Sequence, residues 1–294
     1  MQTPQARLAW HLLVTLAGGA SAYGQSVWPP GKGEFTVSPG FTYSTFNEFW
    51  AADEKVGSLK DNNERLDQYT GFVKLEYGIL SSLAADLTIG YTTTSSTGTF
   101  ANDSDDGLAD TEFGLRYRFV TETRMRPAVA VRVGGIIAGT YDEKTPFAGD
   151  GANGFETSVL LGKTFGETGF GLYADIGYRV READVPEDVF GSFGALKQFF
   201  GIFHDADMIT LSFDYHHVQA TSGLNIGGAG FDPTRASHGF PALREVNQLV
   251  EGSIGYADAG HRHYQFAIAK SVDGRNTGDK LVFLFTVLVP FGRK

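Results

Sequence analysis

Three side chains of the types found in hydrolytic triads lie close together in the sequence. Ser212, Asp214 and His216 occupy alternate positions of ITLSFDYHH, so in a β-strand they would share one face. Neighbours on that face would be roughly 7 Å apart along the strand, which is too far for direct proton transfer within the row. The sequence therefore predicts no catalytic residues, and an enzyme is the least favoured function.

Two further groups contain residue types that bind metal ions, but their number or spacing does not match a metal site. His261 and His263 would share a face beside a short turn, but no third ligand accompanies them. The acidic segment NDSDDG (102–107) resembles a calcium loop in composition, yet it lacks the required spacing and the closing glutamate. We predict no metal site and no cofactor.

A larger set of charged side chains recurs at alternate positions and is predicted to share one face. In GLADTEFGLRYRF (107–119), apolar and aromatic residues alternate strictly with charged ones. A soluble sandwich would bury the apolar face, whereas a membrane barrel would turn it to lipid and enclose the charges. The candidates for an enclosed lumen are Lys74, Glu76, Asp110, Glu112, Arg116, Arg118, Arg132, Asp175, Arg179, Arg181, Asp214 and His216.

The whole chain favours the membrane alternative. About twelve alternating segments follow one another, each near the 9 to 11 residues that a tilted strand needs to cross a bilayer. Long polar connections (47–65, 94–107, 140–153, 182–189, 218–243) alternate with short ones (78–82, 120–125, 166–168, 201–207, 257–262). Outer-membrane barrels have long extracellular loops and short periplasmic turns. The prediction is an all-β fold, a transmembrane antiparallel up-and-down β-barrel of about twelve strands, with both termini in the periplasm.

Composition agrees with this fold and excludes other classes. The chain has 294 residues and 38 glycines, where average usage would give roughly 21, and glycine is frequent where sheets bend around barrels. Cysteine is absent, so there are no disulfides and no thiolate metal site. The formal net charge of -10 argues against nucleic acid as a partner.

The first 24 residues have the organisation of a secretory signal peptide. Arg7 precedes an apolar run, which ends at the small residues Ala20, Ser21 and Ala22. Cleavage after Ala22 and cleavage after Gly24 are both compatible with the sequence. We therefore divide the chain into a signal peptide (1–24) and a barrel (25–294).

The interior leaves two questions open. The enclosed charges could pair across strands and fill a narrow lumen, or they could line an aqueous path. A separate apolar strip is predicted from Phe72, Leu249, Val282, Leu284 and Leu288. This strip could guide an apolar solute, or it could pack against an N-terminal plug formed by residues 25–33. At Pro39, where a ladder hydrogen bond is forfeited, we expect a local bulge.

Several stretches together resemble one family of Gram-negative outer-membrane barrels. They are GLADTEFGLRYRF, EGSIGYADAGHRHYQFAIAK (251–270), GRNTG (274–278) and a last strand that ends in an aromatic residue. The chain is similar to the transporters called "MetA-pathway of phenol degradation" proteins. The resemblance implies a barrel of this size and the uptake or efflux of apolar, often aromatic, small molecules. A terminal aromatic also resembles the insertion signal read by the barrel assembly machinery, although Gly292, Arg293 and Lys294 follow Phe291 here.

We therefore predict an outer-membrane channel or transporter for the passive passage of small hydrophobic or aromatic molecules. The expected partners are outer-membrane lipid and lipopolysaccharide, the assembly machinery during biogenesis, and a small hydrophobic solute. The alternatives are a structural or receptor-like barrel with a plugged lumen and, least favoured, an outer-membrane enzyme.

Overall fold

The computed structural model describes residues 26–57, 65–97, 104–140, 151–182, 185–204, 207–230 and 242–292. The predicted signal peptide lies outside these ranges. Their strands are β1 (Phe35–Phe46), β2 (Phe49–Ala51), β3 (Glu54–Val56), β4 (Arg65–Leu80), β5 (Leu83–Thr97), β6 (Ser104–Leu108), β7 (Thr111–Val120), β8 (Ala128–Ile137), β9 (Gly154–Thr164), β10 (Phe170–Arg181), β11 (Asp188–Phe200), β12 (Met208–Ala220), β13 (Val246–Ala257), β14 (His263–Arg275) and β15 (Leu281–Phe291).

The main sheet closes on itself as an antiparallel barrel. Sequential strands pair from β7 to β15, β15 pairs with β1, β1 with β4, and β4 with β5. Strands β6 and β7 pair with β5 one after the other, so they share one position in the wall. The described strands therefore form twelve wall positions, and the predicted up-and-down barrel is confirmed. Strands β2 and β3 form a separate hairpin.

The apolar face of the wall points outward. In β7, Phe113, Leu115, Tyr117 and Phe119 are exposed, whereas Arg116 between them is only 1% exposed. The same holds around the barrel, where apolar side chains in the strands are as much as 62% exposed, at Ile176. An exposed apolar band of this extent requires lipid, as the alternation predicted. Within the described residues we find no helix with the length and hydropathy that a membrane crossing requires.

Both ends of the described chain lie at the short-turn end of the barrel. A side chain added at Gly292 would contact the carbonyl oxygen of Gly33. The longest connections lie at the opposite end, and much of them (58–64, 98–103, 141–150, 231–241) falls outside the described residues. One connection departs from the predicted pattern, because the segment between β10 and β11 (182–187) is no longer than the short turn 201–207.

The bulge expected at Pro39 is wrong. Pro39 pairs with Val73 in unbroken register, and the register between β1 and β15 is the same on either side of it. Neither Ser38 nor Pro39 is paired with β15, so the missing N–H falls where the ladder already has a gap and no extra residue is needed. The register shifts occur instead in the pairings of β4 with β5, β7 with β8, and β13 with β14.

Candidate functional site in the barrel interior

One half of the inner wall carries a chain of ion pairs centred on Arg132. Its guanidinium group binds Asp86 with two hydrogen bonds of 3.0 and 2.7 Å and also binds Glu156. These residues lie on β8, β5 and β9, so the group reaches its neighbour β9 on one side and crosses β7 to β5 on the other. It lies flat against the wall, because a Cβ atom at Gly114 or Gly134 would overlap it. A bidentate pair of this kind fixes the side chain as well as its charge.

Further pairs extend this chain on both sides. Arg116 lies 3.0 Å from Glu76, and Lys74 lies 3.9 Å from the same carboxylate. On the other side, Arg179 lies 3.2 Å from Glu156. We call Lys74, Glu76, Asp86, Arg116, Arg132, Glu156 and Arg179 the charged ladder. Of the two arrangements left open by the sequence, cross-strand pairing is the one that these residues adopt.

Four other predicted lumen residues lie beside the ladder. Arg181 donates to Asp110 over 2.9 Å, and Arg118 donates to the backbone oxygen of Ser81 over 2.9 Å. Glu112 lies on β7 and pairs in register with Ile136 on β8. All the predicted lumen residues on β4 to β10 thus lie inside the barrel or at its mouth.

The predicted triad residues do not form a proton relay. The hydroxyl of Ser212 donates to Asp214 over 3.0 Å, and the hydroxyl of Tyr173 donates to the same carboxylate. His216 is directed to Glu251, with 3.5 Å between Nε2 and Oε2. Because the imidazole contacts neither the serine nor the aspartate, this row has no activated nucleophile.

The other carboxylate and histidine residues that could bind a metal ion also lie apart from one another. Asp175 accepts a hydrogen bond from Ser192. His263 is buried on the inner wall, whereas His261 lies in the turn before it with a φ of 63°. Among the described residues, no group of three or more His, Asp or Glu side chains is arranged to hold a metal ion.

The inner faces of β14, β15 and β1 form a sector without permanent charge. Leu284 and Leu288 are buried there, and Leu249 is buried on β13, where it pairs with Ser271 toward the long-loop end. Phe72 faces the same space from β4, and its ring lies over Gly40, where a Cβ atom would overlap it. Val282 is half-buried at the long-loop end. We call the inner faces of β14, β15 and β1 the uncharged sector.

A strap formed by residues 26–34 crosses the short-turn end of the barrel. Val27 and Trp28 are buried against inner residues of β8, β9 and β11: Ala128, Ala130, Leu160 and Leu196. Trp28 Nε1 donates to Glu122 over 3.1 Å. Gly162 provides the space, because a Cβ atom there would overlap both strap residues.

The other end of the strap is fixed beside β4. The Gly33 amide donates to the Gly78 carbonyl over 2.7 Å, and the Gly78 amide donates to the Glu34 carbonyl over 2.9 Å. From β1, where the strap enters, β9 is five neighbours away in a wall of twelve positions. The strap therefore spans the opening rather than following its rim. Its buried cluster lies on the wall opposite β15, not on the apolar strip.

Sequence reasoning did not single out Trp28 or Glu122 as site residues. A signal was present, because Trp28 stands before two prolines, which exclude a regular ladder. A second signal was Gly162, a glycine at an inward position where neighbouring inward residues are larger.

At the long-loop end, Asn276 joins three connections. Its Oδ1 accepts hydrogen bonds from the amides of Ala52 (2.9 Å) and Ile226 (3.0 Å). Its Nδ2 donates to the carbonyl of Arg244 over 2.8 Å. The residue is buried and has a φ of 50°, a conformation that asparagine tolerates better than most residues. The GRNTG stretch is thus the centre of a clasp, which we define as the β2–β3 hairpin with residues 224–226 and 274–279.

Charged groups strengthen the clasp. Asp279 accepts hydrogen bonds from Lys55 over 2.6 Å and from Lys270. Burial opposes ionisation of Asp279, but these hydrogen bonds outweigh it and hold its pKa below the usual aspartate range. Hydrogen bonds to Asp279 and Glu48 raise the pKa of Lys55.

Comparisons with known proteins place this fold among outer-membrane barrels. The COG4313 outer membrane channel from Pseudomonas putida F1 superposes with a TM-score of 0.65 at 12% identity, over 90% of this chain and 98% of that one. The β domain of the Bordetella autotransporter BrkA superposes with a TM-score of 0.50 at 10% identity, over 88% and 100%. No family model and no curated protein sequence matches the chain, so the family predicted from the motifs stays a prediction. At these identities the likeness shows the fold alone.

Proposed function

We propose that this chain is an outer-membrane channel for the passive passage of small, predominantly apolar molecules. The observation that carries the proposal is the division of its inner wall. The charged ladder pairs its ions with one another across strands, whereas the uncharged sector offers leucine and phenylalanine side chains to the enclosed space. An ion gains little along a wall whose charges are already paired, and an apolar solute meets leucine side chains on a sector without charge.

The orientation follows from the loops. We place the long loops and the clasp outside the cell and both termini in the periplasm, in agreement with the usual arrangement of such barrels. In this orientation the strap closes the periplasmic end. Passage through the barrel then requires Val27 and Trp28 to leave the opposite wall.

Uptake by cells tests the proposal. Cells that make the protein should take up N-phenyl-1-naphthylamine, an uncharged fluorophore excluded by lipopolysaccharide, several-fold faster than cells without it. Uptake of a carboxylated naphthalene of similar size should not change. Equal rates for the uncharged dye in both cell types would refute a channel for apolar molecules.

The strap supports a second candidate, a barrel that is permanently closed and acts as a structural or receptor-like protein. Purified protein in planar bilayers separates the two. A channel should give discrete conductance steps whose frequency rises when the strap is weakened. A plugged barrel should give none, with or without the strap contacts.

A further inference from the structure

A patch of buried, uncharged polar groups begins within the uncharged sector, on β14, and extends to β11 and β12. It consists of Gln198, Thr210, His263 and Gln265, each more than 90% buried. Thr210 pairs in register with Gln198 on one side and with Gly255 on the other, and Gly255 pairs with Gln265. The ring of His263 lies over Gly255, because its Nε2 would overlap a Cβ atom there. The four side chains therefore converge on one place in the wall.

These groups have unused hydrogen-bonding capacity. Among the described residues, both side-chain polar atoms of Gln198, the hydroxyl of Thr210, Nε2 of His263 and Oε1 of Gln265 have no hydrogen-bond partner. Buried polar groups in folded proteins are nearly always paired. Five such atoms on neighbouring strands therefore indicate a partner from outside the chain.

The surroundings of the patch combine apolar side chains with uncharged hydroxyl groups, since Gln265 donates to Ser253 over 2.9 Å and pairs in register with Thr286. Leu196 and Met208 each lie two residues from a member of the patch on the same inner face, and Leu288 is the register partner of His263. A few convergent polar groups in an apolar frame are typical of small-molecule sites. The four residues and this frame contain no carboxylate, lysine or arginine.

We infer that this patch binds the hydroxyl or carbonyl group of an uncharged, otherwise apolar solute while its body contacts the neighbouring leucines. The inference rests on the proposed function and names the class of molecule that the channel takes. Hydrocarbons without a polar group would leave the patch unpaired, and anions would lose hydration without gaining a counter-charge.

Calorimetric titration of the purified protein with cyclohexanol tests this site, with the heat of titrating detergent alone subtracted. Thr210→Val combined with Gln265→Met removes two polar groups at nearly constant volume. We expect saturable binding to the wild type and about tenfold weaker binding to the double variant. Thr92→Val is the matched control, since it removes an equally buried inner-wall hydroxyl on β5, and it should bind like the wild type. Heat-modifiable gel migration identifies folded protein, and Gln198→Met replaces the double variant if the latter does not fold.

Three results would overturn the inference: equal affinity in wild type and double variant, no saturable heat with wild type, or equally tight binding of cyclohexanecarboxylate. Conductance recorded on the same preparations separates this site from the channel itself. If the wild type conducts but does not bind cyclohexanol, the patch is rejected and the channel is not. Binding without any conductance rejects the channel and leaves the patch as a receptor site.

Discussion

Replacing Trp28 by alanine should open the short-turn end of the barrel. The side chain is buried against the far wall and donates to the Glu122 carboxylate. Truncating a buried tryptophan costs about 3 to 5 kcal/mol. The cost falls on the closed position of the strap alone, because the barrel strands keep their ladders. The ratio of closed to open strap positions should therefore fall by roughly a hundredfold or more, since 1.4 kcal/mol is a factor of ten.

Single-channel recording in planar bilayers measures this change as open probability. Trp28→Phe is the graded comparison, because it keeps most of the apolar area and loses only the N–H donor to a carboxylate. Such a bond contributes about 1.5 to 3 kcal/mol, so this variant should lie between wild type and Trp28→Ala. The order wild type, phenylalanine, alanine should hold for open probability, while the unit conductance of the alanine variant shows the width of the unobstructed barrel.

An engineered disulfide provides the opposite perturbation. The chain has no cysteine, and Val27 lies against Gly162, so Val27→Cys with Gly162→Cys introduces one pair that can lock the strap. The oxidised protein should be silent, and a reducing agent should restore current. If Trp28→Ala behaves like wild type and the locked protein still conducts, the strap does not obstruct the path and the reasoning fails.

Three further outcomes follow from the ladder and the clasp. Arg132→Met should leave the buried Asp86 carboxylate without its bidentate partner and Glu156 with Arg179 alone. The loss should cost about 3 to 5 kcal/mol, measured as a lower urea midpoint for loss of the heat-modifiable band; an unchanged midpoint would contradict the paired arrangement. Asn276→Ala should free the hairpin, so trypsin should cut after Lys55 faster while the barrel stays intact, and equal cleavage rates would exclude its role as a clasp. Because Lys270 and Lys55 depress the pKa of Asp279, its contribution to stability is present above the ordinary aspartate pKa of about 3.9 and is lost as pH falls through the depressed value. Fluorescence of Trp50, which lies on β2 of the hairpin with Lys55 Nζ 5.4 Å from its ring centroid, should report that acid step, and Asp279→Asn should abolish it.

The fold could be predicted from sequence because alternation in a strand has a period of two. Once Phe113 and Leu115 share one face, Glu112 and Arg116 must share the other. Because lipid surrounds the closed wall, the apolar face must point outward and the charged face inward. No long-range information is needed for that step. The same local rule placed Asp214 and His216 on the inner wall.

The pairings inside the barrel could not be predicted in this way. Whether Arg132 reaches Asp86 depends on the stagger between β5, β7 and β8, and a change of register by one residue would turn one of them outward. Asp86 and Glu156 are not among the predicted lumen residues, because each is a single acid in a largely apolar segment. Trp28 and Glu122 are 94 residues apart, and no periodicity relates them.

Glycines on the inner face allow bulky side chains to lie against the wall of the barrel. The excess of glycine in the composition is explained in general terms by turns and by strand curvature. In the structure several glycines lie instead on the inner face beside a bulky neighbour: Phe72 lies over Gly40, and Arg132 lies over Gly114. A side chain that lies flat on a glycine covers the wall rather than projecting toward the axis. The strap is the one described segment that crosses the opening, so perturbing Trp28 is the most direct test of whether the barrel conducts.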